Sequence, residues 1–370
     1  MKVAVIGAGI VGLSTANWLK RYGQDVTLFD REDPGSQASF GNAGTYAKYA
    51  NIPTNSSSFF YLFPYLLLNK NSPLFFKRGK FIQSLPWLMQ YLSNCRQSKV
   101  TDTSNKLTTL LSLVDEGYED LFNDADIENL ISRESIFYVW SNKLFYNSAR
   151  KDFETREKTG VKIEIISKNE INDVEPNINN IFYKGALFKG SYFAKNPKKI
   201  SEKLLQLFIE KGGNFKKEKI EEIKILDTNK VNIHTNENTY IYDRIVLCAG
   251  VWSKKLTDKL GENIPLASER GYHLMYPHPE NSISRPIAWQ ERGVYFTPMQ
   301  DGLRAGGVVE LGGNSNEISS KVVSYLKRAT EAVFPNINNH LSEWVGFRPS
   351  VPDSLPVIGQ SKKNPYIYYC

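Results

Sequence analysis

Apolar and polar residues follow one another along the first thirty positions in the order expected of a strand, a helix and a second strand. A short, largely β-branched run at 2–6 is typical of a buried parallel strand. Apolar residues then recur at helical spacing over 10–20, and Gly23 ends this segment before a second apolar run at 26–29. The pattern therefore predicts a βαβ unit at the start of the chain.

The turn between the first strand and the helix carries glycines at the G-x-G-x-x-G spacing, namely Gly7, Gly9 and Gly12. In such a turn the first glycine permits the tight bend, the second lets a pyrophosphate approach the backbone, and the third lets helix and strand pack closely. The N–H groups at the helix start face the phosphates. Asp30 closes the second strand, where an acidic side chain can accept hydrogen bonds from an adenosine ribose. This unit is predicted to bind a dinucleotide.

The segment after Asp30 has no usable periodicity and is predicted to be a loop. Small side chains would let its backbone lie against a flat ligand. The residues concerned are Ser39, Gly41, Asn42, Ala43 and Gly44.

The middle of the chain predicts helices and strands without a nucleotide motif. An amphipathic pattern indicates one long helix over 101–122, and a charged segment indicates another over 147–159. The apolar run FFYLFPYLLL at 59–68 is too short to cross a membrane. Two interpretations of this run stay open, a buried segment or a surface that dips into a bilayer interface.

From residue 185 the chain returns to an α/β pattern. Asn196 and Pro197 begin a helix that runs to about Lys211. The sequence RIVLCAG at 244–250 predicts a buried strand of the same parallel sheet, which would end beside the nucleotide at Ala249 and Gly250. Mixed antiparallel strands are predicted over 265–297, a helix over 319–334 and a last strand over 366–369.

These elements indicate an α/β protein with a Rossmann-like dinucleotide-binding domain and an intertwined, antiparallel-sheet substrate domain of the α+β type. A chain of 370 residues is long enough for two domains. The dinucleotide-binding domain is predicted to comprise residues 1–45, about 185–262 and about 343–370. The substrate domain would comprise about 46–184 and 263–342.

Composition narrows the classes of function only slightly. The chain is 41% hydrophobic and carries a formal net charge of +7 with a sequence pI near 9.0. Its lysines are spread along the chain without a nucleic-acid-binding module, which argues against a nucleic-acid partner. Cys95, Cys248 and Cys370 are far apart and no histidines lie at ligand spacing, so we predict no metal site and a reducing, cytoplasmic location.

Four motifs in the same order resemble the FAD-dependent D-amino acid oxidase and glycine oxidase family. They are GAGIVG with Asp30, SFGNAG at 39–44, VLCAG at 246–250 and the W-x-G-x-R-P-x-x-P-D-x-x-P-x-I-G stretch from Trp344 to Gly359. The segment NSPLFFKRGKFIQSLPWLMQYLSNC at 71–95 is similar to the small subunits of bacterial D-amino acid dehydrogenases in particular.

The resemblance implies FAD as the cofactor. Gly7, Gly9, Gly12 and Asp30 would hold its ADP half, and the 39–44 loop would lie near the flavin. The full set of cofactor-binding residues that we predict is Gly7, Ala8, Gly9, Ile10, Val11, Gly12, Asp30, Arg31, Ser39, Gly41, Asn42, Ala43, Gly44, Ile220, Ala249, Gly250, Trp252 and Gly359.

The resemblance also implies a substrate pocket. Arg348 matches the position that holds the substrate carboxylate, and a planar, permanently charged guanidinium suits that task. Tyr295 falls near an aromatic residue that positions the substrate, and Tyr272 is a further candidate for the catalytic pocket. Glu269, Arg270 and His273 are secondary candidates for the pocket wall. Arg348 as a structural surface arginine, and Tyr272 and His273 as strand residues with satisfied hydrogen bonds, stay open as alternatives.

The implied reaction is oxidative deamination of D-amino acids to 2-oxo acids and ammonia, by hydride transfer from the substrate α-carbon to flavin N5. Electrons would pass to a quinone or other carrier, or to oxygen. A partner subunit and peripheral contact with the inner face of the cell membrane are compatible with this group.

Three alternatives to this function stay open. One is a glycine, sarcosine or hydroxyproline oxidoreductase on the same scaffold. Another is an NAD-dependent dehydrogenase, because the first thirty residues fit either cofactor. The third is a non-catalytic flavin-binding subunit or an inactive fragment.

In the family that the sequence resembles, the strand corresponding to 366–369 continues into a glycine-rich turn and a final helix. Here the sequence ends at Cys370. Either the sequence is a fragment of a longer chain or the flavin site is open; we expect a fragment, because a natural chain seldom ends at a strand of the core sheet.

Overall fold

The first thirty residues form a βαβ unit, as their pattern predicts: Lys2–Ile6, Ile10–Arg21 and Asp25–Phe29. The computed structural model describes residues 1–69, 71–77, 79, 81–226, 228–278, 283–313 and 315–370. The segment at 71–95, whose sequence resembles the dehydrogenase subunits, therefore includes two positions, 78 and 80, that lie outside the described residues.

The strands of the described residues are numbered in chain order. They are β1 Lys2–Ile6, β2 Asp25–Phe29, β3 Thr45–Tyr46, β4 Leu74–Phe76, β5 Ile131–Ser132, β6 Ile136–Trp140, β7 Ile163–Ile166, β8 Lys184–Phe188, β9 Tyr192–Ala194, β10 Asn214–Lys216, β11 Ile220–Ile225, β12 Val231–Thr235, β13 Thr239–Tyr242, β14 Arg244–Leu247, β15 Ala267–Tyr276, β16 Ile287–Trp289, β17 Val294–Met299, β18 Gly302–Leu311, β19 Ser342–Ser350, β20 Gly359–Gln360 and β21 Ile367–Tyr369.

The α-helices are numbered in the same way. They are α1 Ile10–Arg21, α2 Ala38–Gly41, α3 Ser57–Leu68, α4 Phe81–Ser93, α5 Gln97–Leu111, α6 Val114–Asp124, α7 Lys143–Lys158, α8 Ile171–Val174, α9 Pro197–Glu210, α10 Ser253–Lys259 and α11 Ser320–Val333.

A six-stranded sheet in the order β10-β2-β1-β14-β21-β20 carries the N-terminal unit, and only its β20–β21 pair is antiparallel. Alternate residues of β1 face opposite sides of this sheet, as a strand requires. Val5 packs in a core with Leu13 of α1 and Leu204 of α9. Ala4 and Ile6 pack in another core with β11, β12 and α10. Both faces are thus covered, as is usual for a parallel sheet.

A nine-stranded, mainly antiparallel sheet forms the second large part of the fold. Its order is β19-β15-β18-β17-β16-β6-β8-β7, with β4 paired to the end of β18. α11 packs on one face through an apolar stripe that includes Val322, Leu326 and Val333. The other face of β15, β18 and β19 is left to build the site described below.

Two of the segments assigned to the dinucleotide-binding domain lie elsewhere in the sheet arrangement. β8 pairs with β6 and β7, and β19 pairs with β15, so both belong to the nine-stranded sheet. The domain boundaries themselves stay a prediction. Because β19 carries Arg348, the large sheet positions this side chain.

The helix predicted over 101–122 is in fact two helices, α5 and α6. The Leu113 N–H bonds to the Leu110 carbonyl, three residues back, so the hydrogen-bond ladder tightens and the helix ends there. The break divides between two helices the apolar stripe that the sequence predicted to lie on one. Leu110 and Leu113 are exposed, whereas Leu121 and Phe122 are buried against the N-terminal unit.

The apolar run at 59–68 lies in α3, which contains Pro64. Phe59 and Leu66 face a cavity, whereas Phe60 and Tyr65 are 52% and 48% exposed. Among the described residues, no helix combines the length and the apolar character that crossing a membrane requires.

The close approach of α1 to β1 depends on Gly12, and we predict that Gly12→Ala destabilises the protein. A Cβ atom at this position would lie 1.8 Å from the Gly7 carbonyl oxygen, so α1 must move away from the strand. We expect the free energy of unfolding to fall by about 1–3 kcal/mol in urea titrations.

Gly117→Ala in α6 is the matched control, because a Cβ atom there meets nothing within 4 Å. This change should leave stability unaltered or raise it by up to about 1 kcal/mol. Equal urea midpoints for wild type and Gly12→Ala would contradict the packing argument.

Candidate active site

Two cavities meet at the 39–44 loop. The first, of about 540 Å³, lies where β1, β2 and β14 end, and the second, of about 460 Å³, lies on the open face of β15, β18 and β19. Asn42 lines both cavities. β19 separates them, because Phe347 and Pro349 face the first cavity and Arg348 faces the second.

The glycine turn provides a backbone cradle at the first cavity. Gly7 has φ +110°, and a Cβ atom there would lie 2.4 Å from the Cys248 carbonyl oxygen, so only glycine fits. Gly9 begins α1 without a side-chain cap, although the Ile10 N–H donates to the Ser39 hydroxyl at 2.9 Å. The start of a helix leaves further N–H groups without intrahelical partners. These groups can receive a pyrophosphate.

Asp30 lies at the wall of the first cavity, at the end of β2. Its Oδ2 accepts a hydrogen bond from the Ala8 N–H at 2.6 Å, and its Oδ1 accepts one from the Glu32 N–H at 3.0 Å. Burial raises the pKa of the Asp30 carboxyl, and these two hydrogen bonds oppose that shift. Since each carboxylate oxygen has a second lone pair, the fixed carboxylate can still accept hydroxyl donors from a ribose.

The far wall of the first cavity combines a stacked cation and small residues. The guanidinium of Arg31 lies 4.3 Å from the centre of the Trp252 ring. Ile220, Ala249 and Gly250 also line this wall, and a Cβ atom at Gly250 would meet nothing within 4 Å. A flat, aromatic nucleotide base suits such a wall.

The predicted cofactor residues divide into three groups in the structure. Those that line the first cavity are Gly7, Gly9, Ile10, Val11, Asp30, Arg31, Ser39, Asn42, Ile220, Ala249, Gly250 and Trp252. Gly41 and Ala43 line the second cavity with Asn42. Those that line neither are Ala8, Gly12, Gly44 and Gly359. The backbone cradle, the fixed carboxylate and the aromatic wall together fit the ADP half of FAD.

The 39–44 loop is held by side chains of the nine-stranded sheet. Arg304 of β18 donates from Nη1 to the carbonyl oxygens of Phe40 and Asn42, both at 2.8 Å. The Thr297 hydroxyl donates to the Ala43 carbonyl at 2.9 Å. His273 binds the carbonyl oxygen of Gly41, so all four carbonyl oxygens of residues 40–43 accept hydrogen bonds from side chains of the nine-stranded sheet.

His273 of β15 holds the Gly41 carbonyl through Nδ1, at 3.2 Å. Because a carbonyl oxygen only accepts, Nδ1 carries the proton. The ring also stacks on Trp344 with centroids 5.0 Å apart. Burial, together with the charge of Arg304, lowers the pKa of His273 to about 3, so the ring is neutral at neutral pH. Burial likewise lowers the pKa of Arg304, to about 10, which leaves its charge intact.

The Arg348 side chain is accessible to solvent and lines the second cavity. The side chain crosses over Gly271, where a Cβ atom would lie 2.7 Å from Nε. Nη1 and Nη2 donate to the carbonyl oxygens of Val308 and Gly307 at 3.2 and 3.3 Å. Val308 has φ +52°, which is strained for a β-branched residue. This strained bulge of β18 fixes the arginine at the cavity wall.

Tyr295 also lines the second cavity, and its hydroxyl lies 3.0 Å from that of Tyr138. Tyr272, contrary to the prediction for it, does not line this cavity. Its hydroxyl donates to Glu310 Oε2 at 2.5 Å, and Glu310 in turn pairs with the buried Arg270. Tyr272 lies two residues after Arg270 on β15, so the two side chains share the inward face of this strand.

Several residues at the site were not predicted. Arg304 and Thr297 hold the loop, and aromatic residues of α3 and α4 line the second cavity. The sequence signal for the aromatic lining was the apolar run after residue 58. No local signal marks Arg304, because its role arises only when β18 passes beneath the loop.

The chain is similar to a family of flavin-dependent oxidoreductases over almost its whole length. A family model described as FAD dependent oxidoreductase matches residues 2–370. A D-amino-acid oxidase of Bradyrhizobium diazoefficiens is 28% identical over 375 residues, which cover 99% of this chain and 89% of the relative. A D-amino acid dehydrogenase of Vibrio vulnificus is 26% identical over 376 residues, which cover 99% and 90%. Glycine oxidase from Geobacillus kaustophilus superposes with a TM-score of 0.76 at 16% identity, which covers 99% of this chain and 87% of that chain and shows a shared fold.

The depressed pKa of His273 predicts that stability falls as the pH is lowered through the acid range. Between the unfolded pKa of about 6.5 and the folded pKa of about 3, the unfolded chain binds a proton that the folded chain does not. His273→Gln keeps an amide donor for the Gly41 carbonyl but does not titrate. We expect wild type to lose about 2 kcal/mol more unfolding free energy than this variant between pH 6.5 and 4.5.

Urea titrations at the two pH values measure this difference. His234→Gln in β12, whose ring nitrogen contacts the Thr239 hydroxyl, is the matched control for loss of a histidine. Identical pH dependence in wild type and His273→Gln would show that His273 is not buried in its neutral form.

Proposed function

This chain belongs to the FAD dependent oxidoreductase family and is an FAD-dependent amine oxidoreductase, and from this premise we propose that it oxidises D-amino acids to 2-oxo acids and ammonia. The observation that carries the proposal is the position of Arg348, at the wall of a cavity that shares Asn42 with the dinucleotide cavity. The names of the two relatives support the D-configuration.

The first cavity would hold the cofactor. The N–H groups at the start of α1 would bind the pyrophosphate, and Asp30 would accept the ribose hydroxyls. The 39–44 loop, with its carbonyl groups bound to the sheet, would present its other side to the flavin. Bound FAD supplies the chemistry, by accepting a hydride from the substrate α-carbon.

Arg348 would bind the substrate carboxylate and so orient the α-carbon. Its carbonyl partners use one donor on each of Nη1 and Nη2, and a guanidinium has five donors, so enough remain for a carboxylate. The positive charges of Arg348 and Arg304 disfavour a protonated amine beside them. Hydride leaves only from the neutral amine, so the pocket would favour the reactive form without a dedicated base. The imine product then takes up water and releases ammonia.

The electron acceptor that we propose is a quinone or another carrier. α3 and α4 line the second cavity with Phe59 and Trp87. The outer surface of α4 exposes Ile82 and Met89, which are 77% and 69% exposed. Exposed apolar side chains of this size beside a redox site support peripheral contact with a membrane, where quinones dissolve.

The proposal predicts that D-amino acids reduce the bound flavin. Under anaerobic conditions, adding D-alanine, D-arginine or D-methionine to the FAD-loaded protein should abolish the flavin absorbance at about 450 nm. Glycine, sarcosine and hydroxyproline should act slowly or not at all. If only glycine, sarcosine or hydroxyproline bleaches the flavin, that amine is the substrate and the proposal of D-amino acids is wrong. A yellow protein that no amine bleaches would also contradict the proposal.

Arg348→Met is the informative variant in this assay. Because the side chain lies in the second cavity and not the first, FAD content should be unchanged. Loss of charged hydrogen bonds to the carboxylate, about 1.5–3 kcal/mol, should reduce kcat/KM about 10- to 150-fold.

The proposed acceptor predicts that reduced protein transfers electrons to a soluble quinone faster than to oxygen. Vesicles of anionic phospholipid should bind the protein, and replacement of Ile82 and Met89 by serine should weaken that binding without altering bleaching by substrate. Stopped-flow reoxidation and vesicle co-sedimentation measure the two effects. Rapid reoxidation by oxygen and no vesicle binding would indicate an oxidase that does not contact membranes.

A further inference from the structure

A carboxylate in the second cavity has no hydrogen-bond partner in the part of the chain that the structure describes. Glu269 of β15 is half-buried and lines this cavity, and within the described residues its carboxylate makes no hydrogen bond and no ion pair. Its direct cross-strand neighbour is Arg348. Opposite charges in such a pair usually meet. Here the guanidinium is turned away, over Gly271 towards β18, and does not bond to Glu269.

The sheet register places Glu269 at the end of the cavity that is remote from the 39–44 loop. His273 holds that loop, and Glu269 lies four residues earlier on the same face of β15, about 13 Å along the strand. The pairing in β18 agrees, since His273 lies opposite Gly306 and Glu269 lies opposite Leu311. Arg348, which leans from the Glu269 pair towards Gly307, lies between the two ends.

Aromatic side chains surround this remote end. Trp87 and Tyr91 of α4 line the cavity with ring centroids 5.2 Å apart, and Phe59 of α3 meets Tyr91 edge to face at 5.3 Å. The negative charge of Glu269 acts on both Tyr91 and Arg348. It adds to the burial that raises the pKa of Tyr91, and it opposes the burial that lowers the pKa of Arg348.

A free carboxylate beside aromatic rings is the usual environment for an organic cation. Resting on the proposed function, we propose that Glu269 and the wall of Phe59, Trp87 and Tyr91 form a subsite for the cationic end of the substrate side chain. The preferred substrates are then D-amino acids with basic side chains, such as D-arginine and D-lysine. The α-carboxylate binds Arg348, and the side chain extends away from the loop towards Glu269.

The same geometry argues against a role for Glu269 at the α-amine. The amine lies next to the α-carbon, which would face the flavin at the loop end of the cavity if the 39–44 loop borders the flavin as proposed. Glu269 lies beyond Arg348 from that end. A group that contacts only the side-chain terminus affects substrates that carry a cation there and spares those that do not.

D-Arginine and D-citrulline test this subsite, because they have the same length and a planar end group but differ in charge. We expect kcat/KM for D-arginine to exceed that for D-citrulline by about tenfold or more in the wild type. Glu269→Gln should remove this preference, by lowering the D-arginine value while changing the D-citrulline value less than about twofold. Glu202→Gln, at an exposed position of α9, is the control and should retain the wild-type ratio.

Two outcomes of this comparison overturn the subsite. One is a wild type with no preference for D-arginine. The other is an equal loss for both substrates in Glu269→Gln, which would assign the carboxylate to a group that all substrates share.

A binding measurement separates the subsite from the proposed reaction. 5-Guanidinopentanoate carries the carboxylate and the guanidinium but has no α-amine to oxidise. Heptanoate carries the same carboxylate on a chain of similar length whose far end is uncharged. Calorimetric titration of the FAD-loaded protein should show tighter binding of 5-guanidinopentanoate, and Glu269→Gln should abolish the difference. If this preference holds while no amine bleaches the flavin, the proposed oxidation is wrong and the subsite stands. If the two ligands bind equally, the subsite is wrong whatever the enzyme oxidises.

Discussion

The attachment of the 39–44 loop to the nine-stranded sheet is the constraint on which the site depends. The loop leaves the six-stranded sheet beside the glycine turn, yet its carbonyl oxygens accept hydrogen bonds from Arg304, His273 and Thr297 of the other sheet. These donors come from three adjacent strands, β18, β15 and β17. Two cavities that belong to different sheets are thereby joined at one residue, Asn42.

The donors that hold the loop are themselves buried, and this determines their protonation. The neutral His273 ring is fixed by Trp344 on one side and by the Gly41 carbonyl at Nδ1, and Gly41 in turn has no side chain because the Trp344 ring lies where a Cβ atom would be. Arg304 keeps its positive charge despite burial, and its guanidinium donates hydrogen bonds to the backbone carbonyl oxygens of Phe40 and Asn42. Polar groups that are buried in this way must stay paired, so the loop has little freedom to move.

Strands β15, β18 and β19 fix the charge pattern of the second cavity. The bulge at Gly307 and Val308 exposes two carbonyl oxygens to Arg348, and Gly271 provides the space that the arginine crosses. The turned arginine leaves its cross-strand neighbour Glu269 without a hydrogen bond or ion pair to any described residue. Beneath this layer, Arg270 and Glu310 form a buried pair that also binds the Tyr272 hydroxyl. Neighbouring residues of one strand thus serve opposite faces, because side chains alternate along β15.

The sequence by itself determined the βαβ unit, the dinucleotide turn and the family. These depend on local spacing: a Cβ atom at Gly7 or Gly12 would overlap neighbouring backbone atoms, and Asp30 at the end of the second strand accepts a hydrogen bond from the Ala8 N–H. Arg348 could be proposed from its motif, and FAD from the four motifs together. The sequence did not reveal the break between α5 and α6, the inward orientation of Tyr272, the role of Arg304 or the pairing of β19 with β15. Only the tertiary structure decided these, because each depends on register and contact between strands that are distant in the chain.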